Sequence, residues 1–409
     1  MNCRNCNEEL AHTFIDLGSS PPSNSYLSEE DLQSPEKWYP LQVKVCDKCW
    51  LTQTVDFVGT EEMFSNDYAY FSSYSSSWLE HAKNYVDKMI KDFSLTNQSI
   101  VAEIAANDGY LLQYVKNYSI PCYGIEPTHS TATEAKNKGI EIIEDFFGEI
   151  LAKKLADENK QVDLAIANNV LAHVPDINDF VKGFYFLLKP NGIATFEFPH
   201  LLNLVLNNQF DTIYHEHYSY ISLIAIESVF RNNGLMIFNV EELTTHGGSL
   251  RLFVQKISTG KNALNDSVNR CKDKEITAGI NSIHFYKGFQ KNTQRIKDDF
   301  LSFLKRARKE GKTVAAYGAA AKGNTLMNFS EVGPDLISYV VDKNPAKQGK
   351  YAPGSRIPIL DDAFLYNNKP DYVVILPWNL KNEIVSQLKD IRSWGGKFVV
   401  AIPQLEIIL

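Results

Sequence analysis

Two groups of residues in this sequence have the types and spacing that chemistry needs. The first is a set of four cysteines arranged as two knuckles, Cys3 and Cys6 in CRNC and Cys46 and Cys49 in CDKC. Two Cys-x-x-Cys turns supply four thiolates, enough to close a tetrahedral zinc shell and leave no position open for substrate or water. A redox pair or free thiols are the competing readings, and the loop of about 40 residues between the knuckles exceeds the usual ribbon spacing. The remaining two, Cys122 and Cys271, stand alone in apolar or helical surroundings and read as small core residues. The second group is residues 214–222, YHEHYSYIS, with two histidines, a glutamate and three tyrosines in nine positions. His217, Glu216 and Tyr214 supply a base, a carboxylate to orient or charge it, and a phenol able to donate to developing negative charge. Imidazole titrates near neutral pH, which suits proton abstraction. Against this stands an aromatic core segment: Tyr218 and Tyr220 read as packing, and His215 points the other way if the segment is extended.

Such groups need rigid elements behind them. From residue 79 the pattern alternates helix and strand: SWLEHAKNYVDKMIKDF, SIVAEIAA, GYLLQYVKNY, CYGIEP, STATEAKNKG, then IEIIEDFF and VDLAIANNVLAHV as strands, DINDFVKGFYFLLKPNG as a helix and IATFEFPH as a strand. That alternation specifies a parallel sheet with helices on both faces and a ligand at the strand carboxyl ends. A polar helical connector spans 262–310, and a second series begins at KTVAAYGAAAKGNTLMNF. The expected architecture is α/β throughout: a zinc-binding module with an active-site loop over 1–75, a central doubly wound domain over 76–260, and the connector with a second Rossmann-like domain over 261–409. The short first module would rely on its metal to fold.

The turn after the first central strand reads EIAANDGY. A dinucleotide fingerprint wants three glycines so that backbone can approach a pyrophosphate, and only Gly109 is present. Glu103 at one strand end and Glu126, beside Pro127, at the next suit ribose hydroxyls of a nucleoside without pyrophosphate, and S-adenosylmethionine is such a nucleoside. Ala105, Asn107 and Tyr110 belong to the same turn. Asn168 and Asn169 end a later strand, placed for the adenine and methionine portions. His173, in the NNVLAHV loop, faces the same region on topology.

Apolar residues are 44% of the chain, charged residues 22%, and the formal net charge is −8, the profile of a soluble globular protein and not of a nucleic-acid binder. No apolar run approaches the ~20 residues that cross a bilayer, and the first residues lack a secretory stretch. The expectation is a cytoplasmic protein without membrane or nucleic-acid partners, in which nothing demands more than a monomer.

The two knuckles, AEIAANDGYLL, IANNVLAHVPD, YHEHYSYIS, THGGSLRLFV and YGAAAKGNTLMNF together resemble, in order and over nearly the whole chain, the nucleotide-sugar C-methyltransferases, and most closely the sugar C-3' methyltransferases. The resemblance implies methyl transfer from S-adenosylmethionine to a ring carbon of a keto-deoxysugar nucleotide through a base-generated enolate. It implies His217 as base supported by Glu216 and Tyr214, His173 and Tyr68 around the sugar, and a structural zinc. It also implies that the C-terminal domain helps bind the nucleotide diphosphate; Lys322 and Asn324 in GAAAKGN suit phosphate oxygens, with Arg251 in HGGSLR a second candidate. Ala105 departs from the glycine of many such turns, so φ is expected to be negative there. The rival readings are a nicotinamide-dependent oxidoreductase acting on a nucleotide sugar and a zinc-dependent binding protein.

Overall fold

The computed structural model describes residues 1–55 and 71–408. Near the N-terminus β1 (His12–Ser20), β2 (Tyr39–Val45) and β3 (Thr52–Thr54) form an antiparallel meander. Alternation in β2 buries Leu41, Val43 and Val45 on one face, as a half-covered antiparallel sheet requires.

The central sheet holds β4 (Val101–Ile104), β5 (Cys122–Ile125), β6 (Glu141–Ile143), β7 (Val162–Asn168) and β8 (Leu188–Pro199), all mutually parallel. Continuous apolar runs such as VAEI and VDLAIAN are what strands covered on both faces need. The helix Ser76–Asp92 is capped by the Ser75 side chain and lays Ala82, Tyr85, Val86 and Met89 on one face, at the spacing of a buried helical stripe. Asp176 caps Ile177–Leu187 by accepting from Asn178 N and Asp179 N at 3.1 and 2.9 Å.

Three features depart from the expectation. A helix, Glu149–Asp157, separates the two strands read as consecutive between residues 140 and 174. The segment β9 (Ser219–Tyr220) leaves the central domain and pairs with β3, Thr52 opposite Tyr220. Beyond it, β10 (Leu235–Leu243) and β11 (Ser249–Lys256) form a hairpin whose second strand inserts antiparallel beside β8, giving the order β10-β11-β8-β7-β4-β5-β6. The doubly wound reading therefore describes β4 to β8, and the hairpin completes the edge.

The C-terminal sheet contains β12 (Val314–Tyr317), β13 (Val340–Val341), β14 (Ile359–Leu360), β15 (Tyr372–Ile375), β16 (Lys397–Val400) and β17 (Glu406–Ile408), in the order β14-β13-β12-β15-β16-β17. Only β17 runs antiparallel. The connector contains the helices Asp266–Ala278, Ile283–Tyr286 and Phe289–Lys309. One buried cluster joins all three parts: Ile15 and Leu41 from the first, Leu201, Phe210 and Ile213 from the second, Leu326 and Met327 from the third.

Candidate functional site

The four knuckle cysteines converge. Their sulfur atoms all lie within 4.8 Å of one another, with Cys3 to Cys49 at 3.4 Å, Cys6 to Cys46 at 3.5 Å and Cys6 to Cys49 at 3.6 Å. A tetrahedral shell with sulfur about 2.3 Å from zinc puts the sulfurs about 3.8 Å apart, so the quartet fits that ion. The two turns are built alike. Asn7 N donates to Cys3 O at 2.9 Å and Trp50 N to Cys46 O at 3.1 Å, and Asn7 and Trp50 each have φ of 63°. N–H groups from Gln53 and Lys48 point at the sulfurs of Cys3 and Cys46, at 3.3 and 3.4 Å, as outer partners of thiolate ligands do.

At the carboxyl ends of β4 and β5, the turn after Glu103 carries left-handed backbone at Ala105 (φ 58°), Asn107 (φ 48°) and Gly109 (φ 75°). The expected negative φ at Ala105 is thus wrong: the chain keeps the glycine-like bend and places a methyl on it. Glu126 accepts from Asn107 N and Thr128 N, both at 2.9 Å, and Pro127 follows it between strand and helix. Burial pushes the carboxyls of Glu103 and Glu126 up, Glu103 well above the usual range, with Asp108 and Glu126 adding repulsion there. Tyr110 lies flat against Trp78 at 5.9 Å. Buried oxygens Glu103 Oε2, Asn168 Oδ1 and Asn169 Oδ1 have no hydrogen-bond partner, so acceptors stand ready for hydroxyl and amino donors. That set fits a nucleoside with free ribose hydroxyls; it holds no cradle for a pyrophosphate.

Above β7 and β8 lies the YHEH segment. His217 Nδ1 bonds Thr212 O at 2.8 Å. Because a carbonyl only accepts, Nδ1 carries the proton and Nε2 the lone pair; Nε2 receives the Tyr214 hydroxyl at 2.8 Å. The His173 ring stands edge-on to His217, centroids 4.6 Å apart. Burial, and then His173 beside it, hold the His217 imidazolium well below the usual range, and burial lowers His173 to about 4. The Glu216 carboxylate, expected to orient His217, turns the other way: it accepts from Asn24 N and Nδ2 at 3.3 and 3.2 Å. Its main chain bonds His173 instead. His215 packs edge-on to Tyr39 and reaches Pro40 O at 3.3 Å. Tyr68 lies outside the described residues.

Sequence reasoning missed several groups that face this cluster. His246, left-handed at φ 52°, meets Asn169 Nδ2 at 3.4 Å and Trp78 at 5.1 Å between centroids. Asp211 Oδ2 accepts from Trp378 Nε1 at 2.7 Å; burial pushes its carboxyl up to about 7 against the pull of Lys322. Lys322, a candidate already named from the sequence, stands beside them: its Nζ bonds Asn379 Oδ1 at 2.8 Å and lies 4.8 Å from the Trp378 ring centroid. The doubled glycines of THGGS were the available signal for His246. A Cβ on Gly247 would stand 2.5 Å from the Trp378 ring, so the indole beyond β15 packs directly on the backbone of the hairpin loop.

Two substrate candidates are committed elsewhere. Arg251 is 4% exposed and bonds Glu197 Oε2 and Glu241 Oε2, each at 3.0 Å, so its charge is spent inside the central sheet. Asn324 is fully buried and donates to Ser23 O at 2.8 Å, which makes it a clamp on the arm between β1 and β2. Gly323 in the same turn brings its helix onto Leu376, where a Cβ would come within 2.7 Å. A dinucleotide has little room here: Asp342, at the ribose position of such a fold, accepts from Ala319 N and Asn344 N at 2.7 and 2.8 Å, and Tyr26 and Lys347 cover Ala319 O at 2.6 and 2.8 Å.

Residues 3–64 match the family described as a putative zinc binding domain, 78–240 a methyltransferase domain, and 244–403 a C-methyltransferase C-terminal domain. The chain is 32% identical over 406 residues to the C-methyltransferase NovU of Streptomyces niveus, covering 99% of this chain and 96% of the relative. Among solved structures, the magnesium protoporphyrin IX methyltransferase of Synechocystis PCC 6803 aligns at 15% identity and TM-score 0.34, over 44% of this chain and 79% of its own. An S-adenosylmethionine-dependent methyltransferase from Clostridium acetobutylicum aligns at 14% identity and TM-score 0.37, over 45% and 92%. No helix among the described residues is long and apolar enough to cross a membrane.

Proposed function

The chain belongs to the C-methyltransferase family, and on that premise we propose that it methylates C-3' of a 4-keto-6-deoxysugar carried on a nucleoside diphosphate, with S-adenosylmethionine as methyl donor. The donor supplies an electrophilic methyl group. This chain's own task is to make a carbon nucleophilic, and the observation that carries the reading is the Tyr214–His217 pair. A carbon beside a ketone gives up its proton to an unprotonated base, and His217 is buried with its charged form disfavoured. Thr212 O fixes its tautomer, so Nε2 is the acceptor.

Tyr214 can donate to one acceptor at a time. Before reaction its hydroxyl covers Nε2; as Nε2 takes up the substrate proton, that hydroxyl is released to the enolate oxygen, where it stabilises the charge that the proton left behind. His173 supports the pair from its edge, and His246 and Asn169 border it on the cofactor side. Glu126, Glu103 and Asn168 bind the donor's nucleoside. Lys322, opening the helix Ala321–Phe329 beside Asn379 and Trp378, holds the diphosphate: a helix start and an ammonium both favour anions.

The test is turnover of a panel of 4-keto-6-deoxysugar nucleotides read as mass gain of one methyl, with ring-proton exchange in deuterated water followed separately. His217→Ala abolishes exchange while cofactor affinity by calorimetry stays within about a factor of two, a change of under ~0.5 kcal/mol. Exchange that survives in that variant moves the base to Tyr214 or His173. Absence of any cofactor binding by the intact protein would sink the transferase reading itself.

A further inference from the structure

The first knuckle does more than hold metal. Arg4 sits between Cys3 and Cys6, yet its side chain runs into the protein: Nη1 donates to Thr54 O at 3.0 Å and Tyr218 O at 3.1 Å, with the guanidinium 5.2 Å from the Tyr218 ring centroid. Its main-chain N donates to Gln53 Oε1 at 2.9 Å, and Gln53 Nε2 donates to Cys3 Sγ at 3.3 Å. Thr54 in turn gives its hydroxyl to His217 O and its N–H to Tyr218 O at 3.0 Å. Gln53 and Thr54 are 0% and 2% exposed, so water does not compete for these bonds. From the opposite side Asn178 Nδ2 donates to Arg4 O at 3.0 Å.

We infer that Arg4 is a positioning residue that ties the zinc knuckle to the main chain of His217, so that the metal site sets the height at which the imidazole stands over the cofactor face. A guanidinium suits the role because it offers several fixed donors: one nitrogen spans the carbonyls of two segments that are remote in sequence and meet only at the β3–β9 pairing. Bonds from an ionised donor are also stronger than the neutral bonds they accompany. The inference rests on His217 as the base, and its geometric content can be read without turnover.

The experiment uses the full-length, zinc-loaded protein. In Arg4→Ala, metal content and cofactor affinity match wild type, ring-proton exchange falls on the order of 100-fold, the cost of a displacement near 1 Å, and the His217 imidazole nitrogen resonances move. Arg4→Lys, able to reach one carbonyl, restores part of the rate. Unchanged exchange together with unchanged His217 resonances overturns the inference. Should Arg4→Ala lose zinc or fail to fold, Thr54→Val decides: it removes the hydroxyl on His217 O and touches no knuckle atom. Moved resonances and slowed exchange uphold the coupling, and wild-type values in both overturn it. Moved resonances with normal exchange uphold the coupling and overturn His217 as base instead.

Discussion

A neutral imidazole inside protein is a reagent and a liability. Burial holds His217 well below the usual range and both His173 and His246 to about 4. The folded protein therefore refuses protons that the unfolded chain accepts once pH falls below about 6.5. Stability from these groups is complete above that value and is lost as pH falls from 6.5 towards 4, whereas His217, the proposed base, resists protonation below the ordinary imidazole value. The expected result is a kcat that holds its plateau below pH 6.5 while the melting temperature declines, measured in parallel over pH 7 to 4.5. A kcat that halves at the ordinary imidazole value would mean a solvated base. Residue types pointed to His217 and Tyr214, and the structure brings the Tyr214 hydroxyl within 2.8 Å of His217 Nε2. They misassigned Glu216 and Arg251, since a sequence shows which groups exist and not which partners they find: Asn24 takes one, Glu197 and Glu241 the other. Asp211 and Trp378 were invisible for the same reason, each joining the cluster only through another element, and His246 was marked only by the glycines beside it.

Elements place these residues by bends more than by straight runs. The turn after β4 keeps three left-handed residues within five positions, and Ala105 is the one whose side chain makes that conformation costly. Replacing Ala105 by glycine removes the clash at the price of a freer unfolded chain, and relief is the larger effect at positive φ. Ala105→Gly is therefore expected to raise unfolding stability by about 1 kcal/mol, with no loss of cofactor affinity, by urea titration and calorimetry. A fall in stability would show that the methyl packs well enough to outweigh its backbone. The strand and helix run from residue 79 onward was legible because both faces of a parallel sheet demand continuous apolar strands. The β10–β11 hairpin was not, because an antiparallel insertion follows no βαβ rhythm; the helix Glu149–Asp157 was passed over although Leu151, Ala152 and Leu155 mark its buried face at helical spacing.

Across the whole molecule the zinc module and the central domain share one sheet. Residues 214–217 lead directly into β9, and β9 is held by β3, which follows the second knuckle. The apolar face of β2 packs into the cluster shared with the other two parts, and the two knuckles converge on one four-sulfur site. Structural zinc in such a module is folding energy. The cofactor turn has independent support, since β4 pairs with β5 on one side and β7 on the other, and none of the three pairs with a described strand of the module. Removing zinc with a chelator should therefore uncouple the two halves of the reaction. Ring-proton exchange is lost, while cofactor affinity falls far less. Backbone hydrogen exchange rises over 39–54 and 213–221 and stays slow over 101–104, 122–125 and 162–168. Uniform loss of protection would make the chain one cooperative unit, and retained protection over 213–221 would mean that the base segment stands without its metal.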